Sequence, residues 1–214
     1  MTSYIDRTAK AGISYTYTVR AYSGTSMSGW RNPGTILRLA DPTVQSALNA
    51  TGGTQIKWSR SAGAGGYIVY RRNKGGAWKR IAYINGQNVL SYTDKSAKAG
   101  VTYDYTVRAF KGSLLSDWHN YKTIRRLNNP TLKSVATSRY GINIRWNKSP
   151  YATGYIIYRK TGKGSWTRIA KINNASATGF TDTTAAKGVK YTYTIRSYSG
   201  SYLSYWNSVR SAVR

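Results

Sequence analysis

Three aspartates, Asp6, Asp94 and Asp182, stand 88 residues apart, and their surroundings repeat on the same interval. YTDKSAKAGVTYDYTVRAFKGS (92–113) returns as YIDRTAKAGISYTYTVRAYSGT (4–25), and more loosely as FTDTTAAKGVKYTYTIRSYSGS (180–201). Trp30, Trp118 and Trp206 keep the interval, as do Gly12, Gly100 and Gly188, and no insertion is needed anywhere. A chain built this way folds as copies of one unit whose neighbours pack on each other, so a single large fold is excluded.

The first part of the unit also repeats, at Pro42/Pro130, Trp58/Trp146, Tyr67/Tyr155 and Tyr70/Tyr158. Complete units are expected at 39–126 and 127–214, leaving 1–38 to match only the second part of a unit. That partial unit has no counterpart of the strands bearing Trp58 or GYIVYR, against which Tyr15, Tyr17 and Val19 would be buried. A lone hairpin is marginal in water. Residues 1–38 are therefore expected to fray, to dock on the next unit, or to be completed by a second chain through self-association.

Within 39–126 apolar residues alternate with period two in short runs bounded by Gly, Asn and Asp, the mark of half-buried strands. Strands are expected near 43–49, 54–59, 66–72, 78–84, 89–93, 102–110 and 121–127. In the long one, Tyr103, Tyr105, Val107 and Ala109 should face inward and Asp104, Thr106 and Arg108 outward. Tyr, Thr, Val, Ile and Trp suit such a surface, and 20 Tyr with 7 Trp supply a core. Seven short strands in under a hundred residues point to an all-β, immunoglobulin-like sandwich.

The unit resembles the fibronectin type III domain in the form found in repetitive surface proteins of Gram-positive bacteria. The resemblance rests on Pro42, the I-x-W of Ile56 and Trp58, GYIVYR at 66–71, and A-G-x-x-Y-x-Y-x-V-x-A from Ala99 to Ala109. It implies tandem seven-stranded sandwiches preceded by an incomplete unit. It also puts Tyr103, with Tyr15 and Tyr191, at the tyrosine-corner position. An adhesion or spacer role on a cell surface or cell wall follows from it as an expectation, with the chain as part of a longer precursor. No Arg-Gly-Asp tripeptide occurs.

Catalysis is not expected. The only histidine, His119, does not recur in the other units, and each repeated aspartate sits at a strand end, where a carboxylate accepts backbone N–H groups. The second complete unit holds a single acid and no paired carboxylates. Without cysteine there is neither thiolate chemistry nor a Cys-based zinc site. No cofactor or metal is expected, no signal peptide is recognisable in the first residues, and no apolar run is long enough for membrane insertion.

Charge is the remaining clue. Lys and Arg number 33 against 6 Asp, with no Glu, for a net +27. Arg71, Arg72, Lys74, Lys79 and Arg80 fall on adjacent strands or their turn, and Arg159, Lys160, Lys163, Arg168 and Lys171 occupy the same region of the next unit. Arg108 and Arg196 should join them on the outward face, among Tyr70, Tyr158, Tyr22, Phe110 and Tyr198. Such a surface suits a polyanion, whether teichoic acid, sulfated glycan or nucleic acid, held by counterion release. It equally suits a solvated face that discourages edge-to-edge pairing. The alternative partner is a host protein, for example an immunoglobulin, contacted by the variable loop tips Leu114, Leu115, Tyr202 and Leu203. Those same tips serve otherwise as hydrophobic plugs between neighbouring repeats.

Overall fold

The computed structural model describes residues 3–31, 33–206 and 208–214. The middle unit carries β5 (Val44–Ala50), β6 (Gly53–Trp58), β7 (Gly66–Asn73), β8 (Lys79–Asn85), β9 (Ser91–Asp94), β10 (Thr102–Lys111), β11 (Leu114–Leu115) and β12 (Lys122–Arg125). One sheet runs β5-β6-β9; the other runs β8-β7-β10, with β11 and β12 both paired to β10. All pairings are antiparallel. The expected strands are met within one or two residues at most ends, because alternation fixes their centres and turn residues their limits.

The last unit repeats this order with β13 (Leu132–Ser138), β14 (Gly141–Trp146), β15 (Gly154–Thr161), β16 (Thr167–Ile172), β17 (Gly179–Asp182), β18 (Lys190–Ser199), β19 (Tyr202–Leu203) and β20 (Val209–Val213). Two facing sheets of this order make each unit a fibronectin type III-like sandwich. Their cores are equivalent: Ile56, Trp58, Tyr67, Val69, Tyr105 and Val107 in one, Ile144, Trp146, Tyr155, Ile157, Tyr193 and Ile195 in the other. In both, the tryptophan of the inner strand meets a tyrosine of the facing sheet, with ring centroids 5.5 and 5.4 Å apart.

Each unit also closes on a tyrosine corner. The Tyr103 hydroxyl accepts the Lys98 backbone N–H at 3.1 Å, Tyr191 that of Ala186 at 3.2 Å, and Tyr15 that of Lys10 at 2.9 Å. The donor lies five residues upstream each time, so the hydroxyl pins the preceding turn to the long strand.

The N-terminal unit is smaller, with β1 (Ser14–Tyr17), β2 (Tyr22–Ser23), β3 (Ser26–Met27) and β4 (Gly34–Leu37). β1 pairs with β4 and β2 with β3. The ten-residue strand of the complete units is broken here, since residues 18–21 lie in no strand. In the complete units the corresponding residues are laddered to the neighbouring strand β7 or β15, and this unit has no such neighbour among the described residues.

One expectation about the long strand is corrected. Tyr103, Tyr105, Val107 and Ala109 are buried as expected, but so are Asp104 and Thr106 on the supposed outer side. Phe110 and Tyr198 are buried too. The outer face of the five-stranded sheet carries a layer of its own side chains, and that layer is the candidate site.

Candidate functional site

On the outer face of the middle unit, Tyr70 from β7 meets Trp118 edge-on at 4.7 Å. Trp78, just before β8, stacks on Trp118 at 6.0 Å, and Tyr121 stands against Trp78 at 6.2 Å. Two guanidinium groups are threaded through these rings: Arg72 lies 4.4 Å from Trp78 and 5.3 Å from Tyr121, and Arg108 lies 4.9 Å from Trp118. A planar cation stacks well on an indole face. The last unit repeats the arrangement, with Tyr158 on Trp206 at 4.7 Å, Trp166 on Trp206 at 6.1 Å and Arg196 over Trp206 at 4.8 Å. Lys160 takes the place of Arg72, 5.1 Å from Trp166.

Arg108 and Arg196 are held further by backbone. Their Nε atoms donate to the Ser116 and Ser204 carbonyls at 2.5 and 2.7 Å, and Arg20 does the same to Ser28 at 2.7 Å. Burial pushes the Arg196 guanidinium below its ordinary pKa. Thr106, beneath this layer, donates to the Asn120 carbonyl. These residues form a cover over the sheet, which is why its outer side is not solvated as the alternation suggested.

Several candidate cations are engaged internally. Arg71 donates to Asp94 at 2.6 Å and Arg159 to Asp182 at 2.8 Å. In each case the same carboxylate oxygen accepts the hydroxyl of Tyr105 or Tyr193 at 2.8 Å, and the other accepts a Ser96 or Thr184 backbone N–H and hydroxyl. Burial opposes ionisation of Asp94 and Asp182, yet these hydrogen bonds prevail and hold both carboxyls below the usual range. Arg72 bonds Asp104 at 2.9 Å, and Thr123 donates to the other oxygen of that carboxylate. The sequence identified the aspartates as turn acceptors but missed their arginines. The signal was there: Arg71 precedes Asp94, and Arg159 precedes Asp182, by the same 23 residues.

The other candidates remain exposed: Lys74, Lys79 and Arg80 in the middle unit, and Lys163, Arg168 and Lys171 in the last. Arg80 lies in register with Tyr70 and Arg168 with Tyr158, beside the aromatic layer. A cleft of about 220 Å³ at the β7–β8 turn is bounded by Arg71, Arg72 and Lys79. Lys171 lies 4.9 Å from the Tyr198 ring, where the middle unit instead stacks Tyr83 on Phe110. The exposed cations thus line one ribbon, β7–β8 and its counterpart β15–β16.

The loop tips lie elsewhere. Tyr202 packs against the core of the middle unit and the Leu203 carbonyl accepts from Asn49 at 2.9 Å, so this tip forms part of the joint between units. Leu114 is half-buried, and Leu115 is exposed. His119 lies on the surface beside Trp118. The chain has no cysteine, and among the described residues no group of three or more His, Cys, Asp or Glu side chains could hold a metal ion. No helix among them is long and apolar enough to cross a membrane.

No protein-family model matches the sequence. Exoglucanase B of Cellulomonas fimi is 26% identical over 228 residues, covering 91% of this chain and 19% of that protein. An amylopullulanase of Thermoanaerobacterium saccharolyticum is 43% identical over 63 residues, covering 28% of this chain and 5% of that protein. The chain thus spans under a fifth of either curated relative. Among solved structures, an Fn3-like protein from Clostridium thermocellum matches at 32% identity with a TM-score of 0.36, covering 40% of this chain and 90% of that one.

Proposed function

We propose that the chain is a non-catalytic repeat module of a bacterial surface or secreted protein, with units divided at 38/39 and 126/127, whose basic ribbon contacts an extended polyanion. The observation that carries this is the uneven pairing of charge. The last unit sets fourteen cations against one acid, Asp182, which is already bound to Arg159. Lys163, Arg168 and Lys171 therefore have no carboxylate of their own unit to neutralise them, and Lys74, Lys79 and Arg80 occupy the equivalent ribbon of the preceding unit. Such density costs stability through self-repulsion, a cost that bound phosphate or sulfate groups would relieve.

The test is binding of the chain to teichoic acid, heparin and DNA across a salt series, for the parent protein and for a variant carrying Lys79→Gln, Arg80→Gln, Lys163→Gln and Arg168→Gln. Four fewer phosphate contacts should flatten the dependence of log affinity on log salt by roughly 3 units. An unchanged slope would remove the ribbon from the interface.

A second reading is favoured by one finding, the similarity over 91% of the chain to part of an exoglucanase. In it the repeats space the domains of a longer polysaccharide-acting protein, and the charge is only a solvated face. Salt-insensitive association with insoluble glucan, or no association with any polymer, would favour it. Loss of binding to a serum protein on Leu114→Ser and Leu115→Ser would instead favour host-protein recognition.

A further inference from the structure

The core face of the N-terminal unit is open. Tyr17, Val19 and Ile36 are 37%, 75% and 52% exposed, whereas Tyr105, Val107 and Ile124, one repeat later, are at most 4% exposed. Together with Tyr4, Asp6 and Arg38 they line a cleft of about 460 Å³. Asp6 is already arranged like its equivalents: one oxygen accepts from the Thr8 N–H and hydroxyl, both at 2.7 Å, and the other accepts the Tyr17 hydroxyl at 2.8 Å. In Asp94 and Asp182 that second oxygen also binds an arginine carried by β7 or β15. Asp6 has no arginine partner among the described residues.

An independent feature lies at the neighbouring joint. The tip Tyr202–Leu203 packs on the middle unit and bonds Asn49 at the end of β5. The corresponding tip, Leu114–Leu115, has no equivalent of β5 to meet among the described residues, and Leu115 stays 44% exposed.

We infer that this face binds the unpaired first half of the same 88-residue repeat, supplied by polypeptide outside residues 1–214. The occupant's chemistry is set by the two complete units. It must bring a strand ending in Ile-x-Trp to cover Tyr17 and Val19, and a neighbouring strand whose arginine reaches Asp6. Its first strand must end in a residue that receives the Leu114–Leu115 tip. One segment of this kind covers the open face, neutralises Asp6 and completes the joint. A generic apolar ligand would account only for the first.

The probe is a peptide of residues 39–88, whose sequence carries all three features, added to the full chain. Calorimetry and amide exchange should show one peptide bound per chain, with slowed exchange at Tyr15–Val19. Val19→Asp in the chain should abolish binding, and Asp6→Asn in the chain or Arg71→Ala in the peptide should each weaken it about tenfold or more. Because a free peptide can aggregate, the same segment is also fused ahead of residue 1, restoring the 88-residue interval, and exchange is read again. Absence of protection in both formats overturns the proposal. So does binding indifferent to Asp6→Asn and Val19→Asp. Concentration-dependent dimerisation that protects Tyr15–Val19 without peptide overturns it in favour of a second copy of the chain.

Discussion

The side-chain amide of Asn49, at the end of the first strand of one unit, donates at 2.9 Å to the carbonyl of Leu203, in the loop tip of the next. The same nitrogen reaches the Arg125 carbonyl at 3.0 Å, and its oxygen accepts the Leu127 backbone N–H at 3.1 Å. One buried side chain therefore ties together the first strand, the last strand, the linker and the following unit. Tyr202 seals the contact from the other side. The joint is built from backbone groups that water would otherwise satisfy, so it is specific in geometry as well as apolar.

Replacing Asn49 by Leu should accordingly affect two properties. Several backbone groups lose their partner while buried, a loss of about 2–3 kcal/mol for the middle unit. The angle between the two complete units should also broaden, visible in small-angle scattering under conditions where both remain folded. A variant less stable but unchanged in scattering would show that Tyr202 packing alone sets the joint.

The Asp–Tyr–Arg clusters predict an acid limit. Asp94 and Asp182 titrate lower when folded than the roughly 3.9 of a free aspartate. A group lowered on folding contributes stability above its unfolded pKa and loses it as the pH falls through the folded one. Urea unfolding should thus be steady from neutrality to about pH 4 and weaken below it. Asp94→Asn should cost about 3 kcal/mol at pH 7, because it leaves Arg71 and Tyr105 without their acceptor. The gap between variant and parent should narrow by pH 2.5; a gap independent of pH would mean that the ionised form is not what stabilises the unit.

The same clusters set an alkaline limit. Burial, reinforced by Asp94, pushes the Tyr105 phenol above its ordinary pKa, and burial with Asp182 does so for Tyr193. A phenol raised on folding contributes stability that is whole below about pH 10 and is lost as the pH climbs towards the folded value. Ultraviolet titration should show these two tyrosines ionising only on unfolding. Tyr105→Phe should remove one late phenol from the count. Its survival would place the late phenol elsewhere.

What alternation revealed and what it concealed have one physical origin. Period two fixes which side chains share a face, so Tyr103, Tyr105, Val107 and Ala109 were legible as core. It carries no information about what covers the opposite face. Asp104 and Thr106 are buried because Trp78, Trp118 and Tyr121, brought from two separate loops, stack over them with Arg72 and Arg108. Trp78 and Trp118 are forty residues apart in sequence. Likewise the cations looked equivalent as a list, but position in the sheet divides them: Arg71 and Arg159 point to acids at a strand end, whereas Arg80 and Arg168 face solvent. The N-terminal unit shows the converse. Its pattern is that of a core strand, and with no neighbour equivalent to β7 or β15 among the described residues the strand is interrupted at 18–21.

The turn glycines offer a comparison that isolates contact from conformation. Gly100 and Gly188 are one repeat apart and adopt nearly the same left-handed φ, +81° and +77°. Alanine at either position meets the same backbone strain, about 1–2 kcal/mol. Their surroundings differ. A Cβ on Gly100 would lie 2.6 Å from the ring of Tyr151, which belongs to the following unit, whereas one on Gly188 would meet nothing within 4 Å. Gly100→Ala should therefore exceed Gly188→Ala by a further 1–2 kcal/mol or so, the usual cost of forcing an extra methyl into a packed contact. Adding Tyr151→Ala should cancel that excess and leave the common part. Equal costs in the two single variants would mean that the ring swings aside freely and that Asn49, rather than the tyrosine, holds the units in place.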